Sequence, residues 1–107
     1  MPFRLEDDRG ARYDIRQMEF SSPHESVTFL DEGDGIYQLD VRELLLSGGE
    51  PYSDIMSCVR QLEPGEVLYL HAIFEPAPLI RKLERRGLAT ESEHLGPDHW
   101  RLSIRTT

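Results

Sequence analysis

Apolar residues in the C-terminal two thirds of the chain recur with two periods, and the switches between those periods outline a fold. Ile36 to Val41 alternates, so Tyr37, Leu39 and Val41 share one face of a strand. Ile55, Val59 and Leu62 then repeat at helical spacing with Met56 beside them. Pro51 suits the first turn of that helix, where its missing N–H costs nothing, and Pro64-Gly65 stops it. Val67 to Ile73 is apolar on both faces, as expected of a central strand. Pro76-Ala77-Pro78 opens a second helix with Leu79, Ile80 and Leu83 facing inward. Gly87 stands where a left-handed C-cap belongs, and Leu88 can make its hydrophobic contact. Ala89 to Leu95 reads as a strand, Gly96-Pro97-Asp98 as a turn, and Trp100, Leu102 and Ile104 as a closing, half-buried strand.

The order β-α-β-α-β-β predicts an α+β fold, a two-layer α/β sandwich with a mixed sheet and both helices on one face. Residues 36–107 form this unit, and residues 1–35 are an N-terminal, β-rich, partly flexible extension. In the extension Tyr13 and Ile15, and Met18 and Phe20, alternate with polar neighbours and suggest short strands. Ser21-Ser22-Pro23-His24 is a break, Val27 to Leu30 reads as a strand, and Asp34-Gly35 is a hairpin-turn signal. Residues 1–12 are charged and poor in apolar side chains, so they are expected to be loose.

A length of 107 residues bounds the chain to one domain with a modest core. No apolar run reaches the ~20 residues needed to span a bilayer. The first residues lack the basic and apolar regions of a signal peptide, so the expected location is cytoplasmic. One cysteine forms no internal disulfide. The net charge of −8 is uneven: 12 of the 20 acidic side chains but only 5 of the 12 basic ones fall in residues 1–50. Such a surface repels nucleic acid and anionic lipid, and neither is expected as a partner. Arg81, Lys82, Arg85 and Arg86 crowd the second helix, where a solvated face that complements the helix dipole explains them better than an anion site.

Leu39-Asp40 leads through Arg42-Glu43-Leu44-Leu45-Leu46 to Gly48-Gly49-Glu50-Pro51 and a helix. This stretch resembles the small sulfur-carrier proteins of the TusA/SirA type, in which a Leu-Asp strand runs into a Cys-Pro-x-Pro loop at a helix N-terminus. The resemblance keeps the second proline as Pro51 but places Gly48 where the nucleophilic cysteine would sit. Further landmarks are Leu62-x-Pro64-Gly65-Glu66-Val67-Leu68, Phe74-Glu75-Pro76-x-Pro78-Leu79 and a late Trp100. With them, residues 38–105 resemble an uncharacterised branch of that group lacking the sulfur-carrier cysteine, domain of unknown function family 2249. The resemblance implies the same β-α-β-α-β-β fold and no assigned activity; related proteins occur beside redox- and metal-related domains.

Little surviving chemistry is legible. Cys58, the only thiol, lies on a helix at the border of its apolar face and reads as an inert small hydrophobe. Ser47-Gly48-Gly49 lets a backbone approach a ligand, yet Glu50 competes with any anion there, and a tight turn explains the glycines better. His71 on the central strand, with His94 and His99 flanking the last hairpin, are the nearest to a metal-ligand set, but no close ligand spacing supports one. No Ser/His/Asp order or carboxylate pair compels an enzymatic reading. If both helices cover one sheet face, alternate residues of the central strand, either Val67, Tyr69 and His71 or Leu68, Leu70 and Ala72, point to the other. A row such as Val67, Tyr69 and His71 leaves an apolar and aromatic binding surface there, open to the extension or to a second subunit. The expected function is thus a non-catalytic protein-interaction or regulatory module, linked to redox or sulfur metabolism. Its binding residues are expected among Tyr69, His71, Gly48, Gly49, Glu50, Pro51, Phe74 and Glu75. No cofactor is expected, and the partner is another protein or a second copy of this one. The alternatives are a sulfur carrier or metal-binding protein using Cys58 or the histidines, and a small-anion sensor at Gly48-Gly49.

Overall fold

The computed structural model describes residues 18–106. Five strands form one mixed sheet: β1 (Thr28–Gly33), β2 (Ile36–Asp40), β3 (Val67–Ala72), β4 (Leu88–Gly96) and β5 (His99–Thr106), in the spatial order β1-β2-β3-β5-β4. Only β2 and β3 run parallel; the other neighbours are antiparallel. The parallel pair needs a crossover, supplied by α1 (Arg42–Leu46) and α2 (Tyr52–Val59). The third helix, α3 (Ala77–Arg85), links β3 to the β4–β5 hairpin. The α+β sandwich and the central place of β3 follow the alternation in the sequence.

Tyr37, Leu39 and Val41 from β2 and its end, Leu68 and Leu70 from β3, and Leu102 and Ile104 from β5 point to the helical side. There they close on Ile55, Met56, Cys58 and Val59 of α2 and on Leu83 of α3. Gly87, at φ +85°, ends α3 with its N–H donated to the Glu84 carbonyl, the left-handed cap its position predicts.

The N-terminal segment follows the sequence reading at its strand and hairpin turn and departs from it elsewhere. Asp34 and Gly35 both have positive φ, as a type I′ turn requires, and they join β1 to β2. The division at 35/36 therefore falls at the tip of a hairpin, and residues 28–33 are the edge of the same sheet. Met18 and Phe20 are not in a strand. Met18 is buried in the core, and Phe20 stacks on Phe29, which stacks on Tyr37. Residues 18–27 so extend the helical layer and leave the opposite sheet face uncovered. Tyr13 and Ile15 lie outside the described residues.

The stretch 42–46, which the sequence pattern assigns to no element, is a short helix. It forms because its C-terminus is closed by a full Schellman motif: Gly48, at φ +85°, donates its N–H to the Leu45 carbonyl, and Gly49 donates to the Leu44 carbonyl. The Ser47 hydroxyl also donates to the Leu44 carbonyl, at 2.8 Å.

Candidate functional site

On the helical side, beyond the C-terminal ends of β2 and β3, the three helices leave an apolar cleft of about 340 Å³. Its floor is Val41, Leu70 and Ala72. One wall is Leu45 of α1 with Pro51, Tyr52 and Ile55 around the start of α2. The other wall is Phe74 with Pro76, Pro78 and Leu79 around the start of α3. Prolines at both helix starts fix the chain direction without needing backbone donors, which is why two short loops can hold apolar walls apart. Phe74 is 50% exposed and Tyr52 36% exposed, so two large apolar side chains stand at the mouth. Its polar groups are Glu50, whose carboxylate accepts the Tyr52 N–H at 3.2 Å, and Lys82, whose ammonium lies 4.8 Å from the centre of the Tyr52 ring.

Of the expected binding residues, Glu50, Pro51 and Phe74 meet in this cleft. Gly48 and Gly49 cap α1 beside it, and both of their N–H groups are used in the cap. Glu75 points elsewhere and accepts a hydrogen bond from the Ser92 hydroxyl at 2.7 Å.

Tyr69 and His71 lie on the opposite face of the sheet, as the alternation of β3 requires. The row is not the apolar patch expected of it. Val67 is buried, and the Arg101 guanidinium stands 5.0 Å over the Tyr69 ring while pairing with Glu93. His71 Nε2 lies 2.7 Å from the Gln38 side-chain oxygen, and its Nδ1 lies 2.9 Å from His99 Nε2. Polar side chains from β2 and β5 thus fold over the apolar row and supply its partners. Burial pushes the His71 imidazole below its ordinary 6.5; Asp40 opposes this, and His99, Arg42 and Arg101 reinforce it. Burial works to raise the Asp40 carboxyl, but the hydrogen bonds and charge of Arg42 outweigh it and hold the carboxyl low. The same bonds hold the Arg42 guanidinium above its usual range.

The third histidine of the set, His94, is on the helical side, stacked on Trp100 with ring centres 4.3 Å apart. The three histidines therefore do not converge, and among the described residues no group of three or more metal-ligating side chains gathers. Cys58 is fully buried. Burial pushes its thiol up to about 12, with the Asp54 charge adding to the shift, so it is held as the unreactive thiol.

Two features escaped the sequence reading. Tyr52 and Lys82 carried no pattern that would place them at a cleft. Asp54 did leave a signal: it precedes Cys58 by one helical turn on the apolar face of α2. It is 3% exposed, and His24 Nδ1–H donates to its carboxylate at 2.9 Å.

Among the described residues no helix is long and apolar enough to cross a membrane. No curated protein and no solved structure matches the chain. A family model described as "Uncharacterized conserved protein (DUF2249)" matches residues 38–106, from the middle of β2 to the end of β5 and including every wall of the cleft. With well over half its length matched, the chain belongs to the DUF2249 family.

Proposed function

We propose that this protein is a non-catalytic binding module on a TusA/SirA-like scaffold, cytoplasmic and serving redox or sulfur metabolism, which holds a partner protein by an apolar anchor in the cleft between its three helices. The observation that carries this reading is the cleft itself. Three of the stretches that mark the resemblance converge on it: Val41 after Leu39-Asp40, the Glu50-Pro51 pair, and Phe74 through Leu79. A concave apolar site flanked by exposed aromatic side chains has the form of a recognition pocket for one or two anchor residues. At about 340 Å³ it is near the lower limit for a small-molecule pocket, and it suits a single large side chain.

Backbone geometry and burial support a reading without carrier chemistry. Gly48, in the position the resemblance gives the nucleophile, has φ +85°, a conformation an L-residue adopts only at a cost of about 1–2 kcal/mol. Cys58 is buried, and its thiol remains protonated at neutral pH. The geometry weighs against the anion-sensor reading at Gly48-Gly49, because the Gly48 and Gly49 N–H groups cap α1 and the Tyr52 N–H is taken by Glu50.

The test is a photo-crosslinking amino acid placed at Tyr52, and separately at Tyr69 on the open sheet face, in the native cell. The expected result is one defined adduct from position 52, abolished by Phe74→Asp with the fold intact by circular dichroism. Adducts from position 69 alone would move the site to the open face. No protein adduct at position 52, with a small molecule retained after gentle purification, would replace the partner protein by a ligand. Sedimentation of the purified protein distinguishes a second copy from a different partner.

A further inference from the structure

We infer that His71 and His99 form a two-histidine site for a borderline divalent cation such as zinc, on the sheet face opposite the cleft and independent of it. The two residues stand on adjacent antiparallel strands, β3 and β5, whose ladder ends at Ala72 opposite Trp100, one residue from His99. His71 Nδ1 and His99 Nε2 face each other at 2.9 Å. Two imidazole nitrogens bound to one zinc at about 2.0–2.1 Å each are roughly 3.0–3.4 Å apart. With ring centres 5.2 Å apart the two nitrogens now point straight at each other. Zinc binding therefore requires each ring to turn by roughly 35° as the nitrogens part by a few tenths of an ångström, the Gln38 side chain following His71.

The orientation of His71 is the second element. Its Nε2 is held 2.7 Å from the Gln38 side-chain oxygen, an acceptor that keeps the ring proton on that nitrogen. The lone pair is then on Nδ1, aimed at His99. A ligating histidine typically donates its other N–H to a fixed acceptor in this way, which sets the tautomer and the ring plane. His99 in turn gives up the proton that now bridges the pair and carries one on Nδ1, so the metal replaces one hydrogen bond. Both side chains are half-buried, which leaves room for water to complete the coordination sphere.

The surrounding charge admits a cation. The two nearest guanidiniums are each matched by a carboxylate: Arg42 with Asp40, and Arg101 with Glu93. Imidazole donors with water suit zinc, nickel and copper, and give magnesium nothing to prefer.

The experiment is a zinc titration of the untagged protein, followed by calorimetry and by imidazole NMR, with magnesium as the control ion. The expected result is one equivalent of zinc bound in the micromolar range. The His71 and His99 ring signals should move and those of His24 and His94 stay in place. His71→Ala and His99→Ala should abolish binding, Gln38→Leu should weaken it about tenfold, and His94→Ala should leave it unchanged. Absence of saturable binding by the wild type would overturn the inference. So would one equivalent bound while the His71 and His99 signals stay still, a result read on the wild type and therefore independent of whether any variant folds.

Discussion

Replacing His24 by alanine should destabilise the protein far more than a half-exposed surface histidine ordinarily would. Among the described residues its Nδ1–H is the one donor placed on the Asp54 carboxylate by a side chain, at 2.9 Å, and the Asp54 side chain is only 2% exposed against 33% for His24. Removing one partner of a buried ionic pair costs about 3–5 kcal/mol when no water reaches the other. Here the space vacated by His24 opens to solvent, so hydration recovers part of that. A charge-assisted hydrogen bond contributes about 1.5–3 kcal/mol, and about 2 kcal/mol is the expected loss. For a domain of this size that lowers the melting temperature by about 8–16 °C. Asp54→Asn should cost less, about 0.5–1 kcal/mol, because the amide oxygen still accepts from Nδ1 while only the charge and its favourable place in the first turn of α2 are lost. In the Asp54→Asn background, His24→Ala should become cheaper by about 1 kcal/mol. Urea unfolding of the four proteins, with unchanged m-values, gives the cycle. A cost below about 0.5 kcal/mol for His24→Ala, or strict additivity, would refute the argument that a stranded carboxylate sets the penalty.

Gly49→Ala should cost about 1–3 kcal/mol, since a Cβ there would clash with Leu44 Cδ1 and lie 3.2 Å from the Leu44 carbonyl oxygen. Gly48→Ala meets nothing within 4 Å and should cost only its left-handed backbone, about 1 kcal/mol, so urea midpoints should rank the two with Gly49→Ala lower. Stability should fall at alkaline pH through Cys58. The folded protein keeps a proton on a thiol pushed from 9.0 to about 12 while the unfolded chain loses it, so stability drops by up to about 1.4 kcal/mol per pH unit above 9. Cys58→Ala should flatten that limb in urea titrations at pH 8–10, and an unchanged slope would show the thiol plays no part. Leu83→Ala, fully buried, should cost about 2–5 kcal/mol, whereas Phe74→Ala at the cleft mouth should stay within about 0.5 kcal/mol. Thermal melts of the pair decide whether Phe74 is there for packing or for contact with something else.

The sheet and its helical cover were legible because burial on one face forces alternation. Tyr37, Leu39 and Val41 and then Leu102 and Ile104 mark the core side without ambiguity, and β3 betrays its central place by being apolar on both. What the pattern could not carry was anything set by side chains from different strands. Tyr69 and His71 read as an apolar row because periodicity says which way they point. It does not say that Gln38, His99 and Arg101 will reach across from β2 and β5 to meet them. The same limit hid the cleft. Glu50, Pro51 and Phe74 were singled out on local grounds, but that they face one another depends on how far α2 and α3 stand apart over Leu70 and Ala72. Asp54 was the avoidable omission: a carboxylate on the Ile55/Cys58/Val59 face of a helix demands a partner.

The two glycines bring sequence, backbone and function to one point. Gly48 must be left-handed to end α1, and Gly49 must lack a Cβ because Leu44 fills that space. Once both are fixed, α1 closes in a single turn and Leu45 is delivered to the cleft wall across from Phe74. A side chain bearing a nucleophile at Gly48 would have to strain the backbone or open the cap, and opening the cap would withdraw Leu45 from the cleft. A side chain at Gly48 that leaves the cap closed therefore carries the left-handed backbone cost of about 1–2 kcal/mol, while one at Gly49 displaces Leu44. In this chain the backbone conformation is committed to the wall.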